Sequence, residues 1–194
     1  MTETPLLLIL RHGQTTWNRD GRMQGQLDSP LTARGRAQAV EQGKILRAEG
    51  VTAEWDFFTS PLGRARHTAE LALEGLAAAR PDARLAEIHM GDWQGLSRDE
   101  VAARWPGAGY DEERLLDWYD SAPGGEGVAA ITARCAAFLS ELRRPTVVVT
   151  HGITSRFLRA ALTGGDPARM TSPGGGQGLV ARVADGRQDW LWAR

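Results

Sequence analysis

Lysine is almost missing from this chain. Of its 23 basic residues only Lys44 is lysine, so 22 are arginine. Schiff-base or P-loop lysine chemistry therefore has one candidate, and that candidate sits inside a stretch with helical spacing. Anion recognition falls to arginine, whose planar donor fork suits phosphate oxygens. Cysteine is just as scarce. Cys135 stands alone, which excludes an intramolecular disulfide and a cysteine-based zinc cluster. No apolar run is long enough to span a bilayer, so no membrane association is expected. The start, Met1-Thr2-Glu3-Thr4-Pro5, lacks the basic region and apolar core of a secretory signal, and a reducing cytoplasm is the expected location. The net charge of −1 argues against nucleic-acid binding driven by bulk charge. With 194 residues, 42% of them hydrophobic, one domain over 1–194 can bury a sizeable core.

What is present alternates in type. Leu6 to Leu10 is a continuous apolar run ending in Arg11-His12-Gly13, the pattern of a strand buried on both faces. Residues 14–30 are polar and Gly-rich, so a loop is predicted. Thr32 is predicted to cap a helix running to Glu49, with Gly50 as its stop and Ala33, Ala37, Val40, Gly43 and Leu46 as its inner face. Trp55 to Thr59 reads as a second strand. Ser60-Pro61 reads as the start of a helix reaching Arg80, and Arg84 to Ile88 as a third strand. Ser97-x-x-Glu100 is a capping box opening a short helix, and Glu112 to Tyr119 marks another. Val128, Ile131, Cys135, Phe138 and Leu142 form one face of a helix. Thr146 to Thr150 is a β-branched strand ending in His151-Gly152, and a further helix follows to Leu162. Asp185-Gly186 between two apolar segments signals a type I′ hairpin. The expected fold is an α/β three-layer α/β/α sandwich, its sheet mostly parallel with an antiparallel C-terminal edge. The hairpin edge, with Trp190 and Trp192, suits either a homodimer surface or a packed sheet edge.

Two strands thus end in the same way, with an apolar run, one polar residue, histidine and glycine. Ligands of open α/β sheets bind at the carboxyl ends of strands. If the two strands are neighbours, His12 and His151 meet in one crevice, where each glycine lets backbone and substrate approach closely and the following N–H groups can face an anion.

The surrounding residues are more specific. Arg11-His12-Gly13-Gln14-Thr15 with Asn18 matches R-H-G-[EQ]-T-x-x-N. Met23-Gln24-Gly25 and Asp28 to Thr32 follow, then Ser60-Pro61-Leu62-Gly63-Arg64-Ala65 with Thr68-Ala69. Leu85-Ala86-Glu87 precedes Gly91-Asp92-Trp93-Gln94-Gly95, and Val148 to Gly152 closes the series. Five motifs in this order resemble the histidine phosphatase superfamily, also called phosphoglycerate-mutase-like, over nearly the whole chain. Arg22 to Gly25 and Glu87 to Gly95 are most similar to its broad-specificity and glucosyl-3-phosphoglycerate phosphatases.

That resemblance implies hydrolysis of a small phosphorylated metabolite. His12 would attack phosphorus and carry a phosphohistidine, its other ring nitrogen held by a backbone carbonyl. Arg11, Arg64 and His151 would grip the phosphoryl oxygens. Asn18, Gln24, Gly25 and Gly152 would complete the binding site. Glu87 would protonate the leaving group and then activate water, its pKa raised by a partly desolvated site beside phosphate. Neither metal nor cofactor is expected: there is no His-Glu-x-x-His, EF-hand or cysteine cluster. The segment 97–127 is expected to lie over the active site as a short insertion. It is acidic, with Arg114 the lone basic residue from Tyr110 to Gly127, which favours hydrolysis over the alternative of a phosphoglycerate mutase. A non-catalytic phospho-ligand binding protein is the alternative of a different class. His67, His89, Arg98 and Arg104 are read as structural or solvated. Trp17, Trp93, Trp105 and Trp118 are read as packing residues, with an apolar rim to the pocket as the second reading. Gly63, His67 and Ile153 depart from the family's common choices, Ile153 toward a narrower pocket.

Overall fold

A computed structural model describes residues 5–111 and 113–193. The N-terminal residues Met1 to Thr4, read above for a signal sequence, lie outside the described residues, as does Glu112. In chain order the elements are β1 (Leu7–Arg11), α1 (Thr16–Arg19), α2 (Ala33–Ala48), β2 (Asp56–Thr59), α3 (Gly63–Ala72), β3 (Arg80–Pro81), α4 (Arg98–Arg104), α5 (Leu115–Asp120), α6 (Gly127–Ser140), β4 (Thr146–Thr150), α7 (Gly152–Thr163), β5 (Val180–Ala184) and β6 (Arg187–Leu191).

The six strands form one sheet in the order β3-β2-β4-β1-β5-β6. The first four run parallel, and β5 and β6 join antiparallel, as expected. Side-chain alternation along the strands feeds two cores. Leu7, Ile9 and Val148 face Phe138 and Ile131 of α6 and Phe157 and Leu158 of α7. Leu8, Leu10, Val147 and Val149 face Ile45 and Leu46 of α2 and Ala65, Ala69 and Ala72 of α3. Each fully buried Leu or Val contributes about 1.5–3 kcal/mol. Because β1 is apolar on both faces, burial alone does not penalise a one-residue slip. Its polar end fixes the register. The His12 N–H donates to Thr150 O at 2.9 Å, and Gly13 packs so closely on Gly35 of α2 that a Cβ would overlap the Gly35 carbonyl.

Several local expectations are corrected. The inner face of α2 is Gly35, Ala39, Gln42, Gly43, Ile45 and Leu46, whereas Ala33, Ala37 and Val40 are exposed. The apolar pattern misleads because Gln42 is fully buried, donating to Arg11 O at 3.0 Å and Leu179 O at 2.8 Å. Within the predicted loop 14–30, Thr15 and Asn18 form a capping box that makes the short helix α1. Helix α3 covers only Gly63–Ala72, and Ser60 does not cap it. The third strand is Arg80–Pro81 rather than Arg84 to Ile88. Asp82 accepts from Arg84 N at 2.9 Å and turns the chain off the sheet into a single 3₁₀ turn. Helix α5 begins at Leu115. The capping box at Ser97 and the αα-side helices α6 and α7 form as read. So does the hairpin, where Asp185 and Gly186 both take positive φ. Trp93 is fully buried, its ring 4.8 Å from that of Trp118 and 6.2 Å from that of Trp105, so these three pack together rather than rim a pocket. Among the described residues no helix is long and apolar enough to cross a membrane. Trp192, at the outer strand's end, is 65% exposed.

Candidate active site

Strands β1 and β4 are hydrogen-bonded neighbours, with Arg11 opposite Thr150. The histidines that follow them therefore emerge side by side, with ring centroids 5.1 Å apart. His12 sits at the floor of a cavity of about 640 Å³ whose lining includes Arg11, Asn18, Gln24, Arg64, Glu87 and Gly152, and His151 is fully buried beside it. Gly25 belongs to the same lining. Eight of the nine residues singled out from the sequence line this cavity, and the ninth, His151, packs against His12.

The protonation of His12 follows from its contacts. Its Nδ1 lies 2.8 Å from Gly13 O, an acceptor, so Nδ1 carries the proton. The Arg64 Nε–H points at Nε2 from 3.3 Å, so Nε2 presents a lone pair. Burial pushes the His12 pKa well below 6.5, and the charges of Arg64 and Arg11 push it the same way. The ring is neutral, with its Nε2 lone pair toward the cavity.

Arg64 is 2% exposed and closely held. Its Nη2 donates to Gly25 O at 2.7 Å, and its Nη1 to Leu27 O at 2.6 Å and Asp28 Oδ1 at 3.0 Å. Gly63 makes this possible, since a Cβ there would overlap the Asp28 carboxylate. The unusual glycine of that motif is thereby explained by its neighbour's ion pair. Gly152 serves Arg11 in a similar way. A Cβ on Gly152 would lie 3.3 Å from the Arg11 Cζ, so this glycine admits a guanidinium. Gly13 likewise makes room for backbone, not substrate. Arg11 donates from Nη1 to Gly175 O, and its buried Nε has no protein partner among the described residues.

Asn18 Oδ1 accepts from Thr15 N at 3.2 Å and Gln177 Nε2 at 2.9 Å. Gln24 Oε1 accepts from Ser29 Oγ at 2.9 Å. With both oxygens committed, the amide groups are left as donors. Glu87 is seated on the first turn of α7. Its Oε1 accepts from Thr154 N and Ile88 N, each at 3.0 Å, and lies 3.0 Å from Thr154 Oγ1, whose proton is shared with Ala86 O at 2.7 Å; its Oε2 accepts from Ile153 N at 3.2 Å. The N–H groups expected to face an anion thus hold Glu87 instead. Oε2, with one donor, retains the freer lone pairs.

Ser60 was read as a helix cap, and its real partner is His151. Its Oγ accepts from Leu62 N at 3.2 Å and lies 2.7 Å from His151 Nε2. That oxygen keeps a second lone pair, so the contact admits either tautomer; the arrangement in which Ser60 donates to Nε2 places the His151 proton on Nδ1 and is the one tested below. That Nδ1 is buried without a protein partner among the described residues. Burial, followed by the charge of Arg64, pushes the His151 pKa well below 6.5. The expected ¹⁵N NMR signature is a single Nδ1–H tautomer for His151. Ser60→Ala removes about 1 kcal/mol of bias and gives a tautomer mixture; an unchanged spectrum would refute the assignment.

Sequence reading quoted Asp28 only as part of a motif, without its role, and missed Tyr119 and Arg156. The last two line the cavity, and the spacing of Arg156 from Gly152 was the available signal. Arg98, read as solvated, lines it as well. His67 is exposed, and His89 accepts from Gly91 N at 3.1 Å as a structural residue. Among the described residues no group of three or more His, Cys, Asp or Glu is placed to hold a metal ion.

The chain is 38% identical over 174 residues, 80% of it and 74% of the relative, to a glucosyl-3-phosphoglycerate phosphatase of Mycobacterium tuberculosis (strain CDC 1551 / Oshkosh). It is 35% identical, over 79% of its length and 78% of the relative's, to a 2,3-bisphosphoglycerate-dependent phosphoglycerate mutase of Afipia carboxidovorans. The solved structure of Bacillus stearothermophilus YhfR superposes with a TM-score of 0.80 at 32% identity, covering 97% of this chain and 96% of that one. The family model of the histidine phosphatase superfamily (branch 1) matches residues 7–192, and the chain belongs to that family.

Proposed function

We propose that this protein hydrolyses small phosphate monoesters through a phosphohistidine on His12. The observation that carries the reading is the state of the His12 ring, which is neutral, with Nδ1–H held by Gly13 O and the Nε2 lone pair facing the cavity. A phosphate dianion entering between His12 and Arg64 replaces the long Nε to Nε2 contact. Arg11 Nε, His151 Nδ1 and the amides of Asn18 and Gln24 are uncommitted donors that can meet its oxygens. His12 Nε2 attacks phosphorus in line as the phosphorus–oxygen bond to the alcohol breaks. Glu87, carrying a proton on Oε2, delivers it to the departing alkoxide. The resulting carboxylate then takes a proton from the water that attacks phosphohistidine, releasing phosphate and restoring the free ring.

The mutase relatives keep a second reading open, transfer of the phosphoryl group back to an organic acceptor. The acidic segment 111–126 lacks a cluster of cations to hold such an acceptor, so hydrolysis is the better supported outcome.

The test is turnover of p-nitrophenyl phosphate by the purified protein. Steady release of p-nitrophenol, unaffected by EDTA, is the expected result. Loss of turnover on chelation would overturn the metal-independent route. Interconversion of phosphoglycerates faster than phosphate release would favour the mutase.

A further inference from the structure

Arg159 is a buried cation with no acid beside it. It lies on the inner face of α7 with none of its surface exposed. Burial, then the charge of Arg156, pushes its pKa down to about 10, so the guanidinium is still charged at neutral pH. Such a charge is tolerated inside a protein only where its donors are met. Among the described residues no carboxylate meets them, and neutral oxygens do so instead. Within α7, Nε donates to Ser155 O at 3.2 Å and Ser155 Oγ at 3.1 Å. Nη1 donates to Gln188 Oε1 of β6 at 3.0 Å and to Thr171 O at 3.3 Å. Nη2 donates to Met170 O at 2.6 Å and Ser172 Oγ at 3.2 Å. The Cζ lies 5.0 Å from the centre of the Trp190 ring. Helix, outer strand and the loop at 170–172 are thus joined at one guanidinium.

The loop continues as a strap back to the phosphate pocket. Gly174, Gly175 and Gly176 follow, all at positive φ, and glycines lose the most backbone freedom when ordered. Gly175 N donates to Ser172 O at 3.0 Å, so the glycines fold back on the anchored stretch. Gly175 O then accepts from Arg11 Nη1, the one hydrogen bond from the Arg11 guanidinium to protein among the described residues. Two residues on, Gln177 Nε2 donates to Asn18 Oδ1 at 2.9 Å. Arg11 and Asn18 are two of the donors proposed to meet the phosphoryl oxygens. We propose that Arg159 is a positioning residue for phosphate binding: it fixes residues 170–172, and the glycine strap beyond them aims Arg11 and, through Gln177, Asn18. This role rests on the phosphatase reading, which brings phosphate to Arg11. Arg159 itself does not line the cavity.

Arg159→Met tests it, since methionine fills much of the same space and removes every donor. Calorimetric affinity for inorganic phosphate is expected to fall about tenfold, the scale of one charge-assisted contact. Arg159→Lys keeps the charge without the fork and should lose about threefold. A purely structural role would weaken phosphate binding equally whatever stands at position 11. A role exercised through Arg11 would not, so in the Arg11→Gln background most of the loss disappears. The same link is readable without phosphate from the Arg11 side-chain ¹⁵Nε–H resonance, identified by its absence in Arg11→Gln. It should shift or broaden in Arg159→Met. An unmoved Arg11 resonance in the folded variant, or an equal loss of phosphate affinity in both backgrounds, would overturn the proposal. If Arg159→Met does not fold, Arg159→Lys is judged by the same cycle and the same resonance. A wild type that leaves p-nitrophenyl phosphate intact counts against the phosphatase reading alone, because the Arg11 resonance still judges the strap.

Discussion

His12→Ala is expected to lower phosphomonoester turnover by about five orders of magnitude, the scale on which removing an enzyme's nucleophile acts. The ring nitrogen is the atom that would form the bond to phosphorus, and neither Arg64 nor His151 can replace it. One is a guanidinium. The other has its Nε2 occupied by Ser60, and its Nδ1 has no protein partner to aim it at phosphorus. Alanine also leaves Arg64 Nε without its present acceptor, but the remaining Arg64 contacts to Gly25, Leu27 and Asp28 hold the side chain in place. The protein should therefore fold and still bind inorganic phosphate. The check has two parts: initial rates on p-nitrophenyl phosphate, and acid-labile, base-stable phosphate on the quenched wild-type enzyme that is missing from the variant. Retention of more than about a hundredth of the wild-type rate would be incompatible with covalent catalysis at this residue.

The second large effect is on stability, and it comes from the same two rings. Both histidines are held neutral by burial and by neighbouring arginines, with pKa values well below 6.5. In the unfolded chain they titrate near that ordinary value. Above it neither state is protonated, and the two imidazoles contribute no pH dependence. Below it the unfolded state binds protons that the folded state refuses, so stability falls as pH falls, until the folded pKa is reached. The slope is about 1.4 kcal/mol per pH unit for each ring, or about 2.7 for the pair. Depressed carboxylates such as Asp56 and Asp82 add losses only at lower pH. Urea denaturation followed from about pH 7 down to about pH 5 should show this decline beginning near 6.5. His12→Ala should roughly halve the slope. Bound phosphate, whose charge favours protonated imidazole, should weaken the decline. A free energy that is level across that window would show that the rings are not kept neutral by the fold.

The architecture was readable because its signals were redundant. Buried parallel strands appear as unbroken apolar runs, and both runs that end in His-Gly lie where the strand-end argument puts them. The motifs marked nine candidate residues, of which Arg11, His12, His151 and Gly152 sit where a strand ends or a helix begins. The failures share a different origin. Ser60, Gln42 and the N–H groups of Ile153 and Thr154 have local uses available to them, namely a cap, a solvated helix face or an open helix end. Each is instead recruited by a group distant in sequence: His151, the carbonyls of Arg11 and Leu179, and Glu87. Spacing along the chain carries no trace of such partners. Arg156 escaped notice because a single arginine on a helix looks solvated until the cavity beside it is known.

The pairing of β1 with β4 has a consequence for how the molecule comes into being. His12 leaves the ribosome well before its neighbour His151. Until the strand at 146–150 has been made and has slotted in beside the first, the opening segment has no partner for the His12 N–H and no second imidazole near it. A nascent or truncated chain therefore holds only half of the chemistry, and activity arises late in synthesis and all at once.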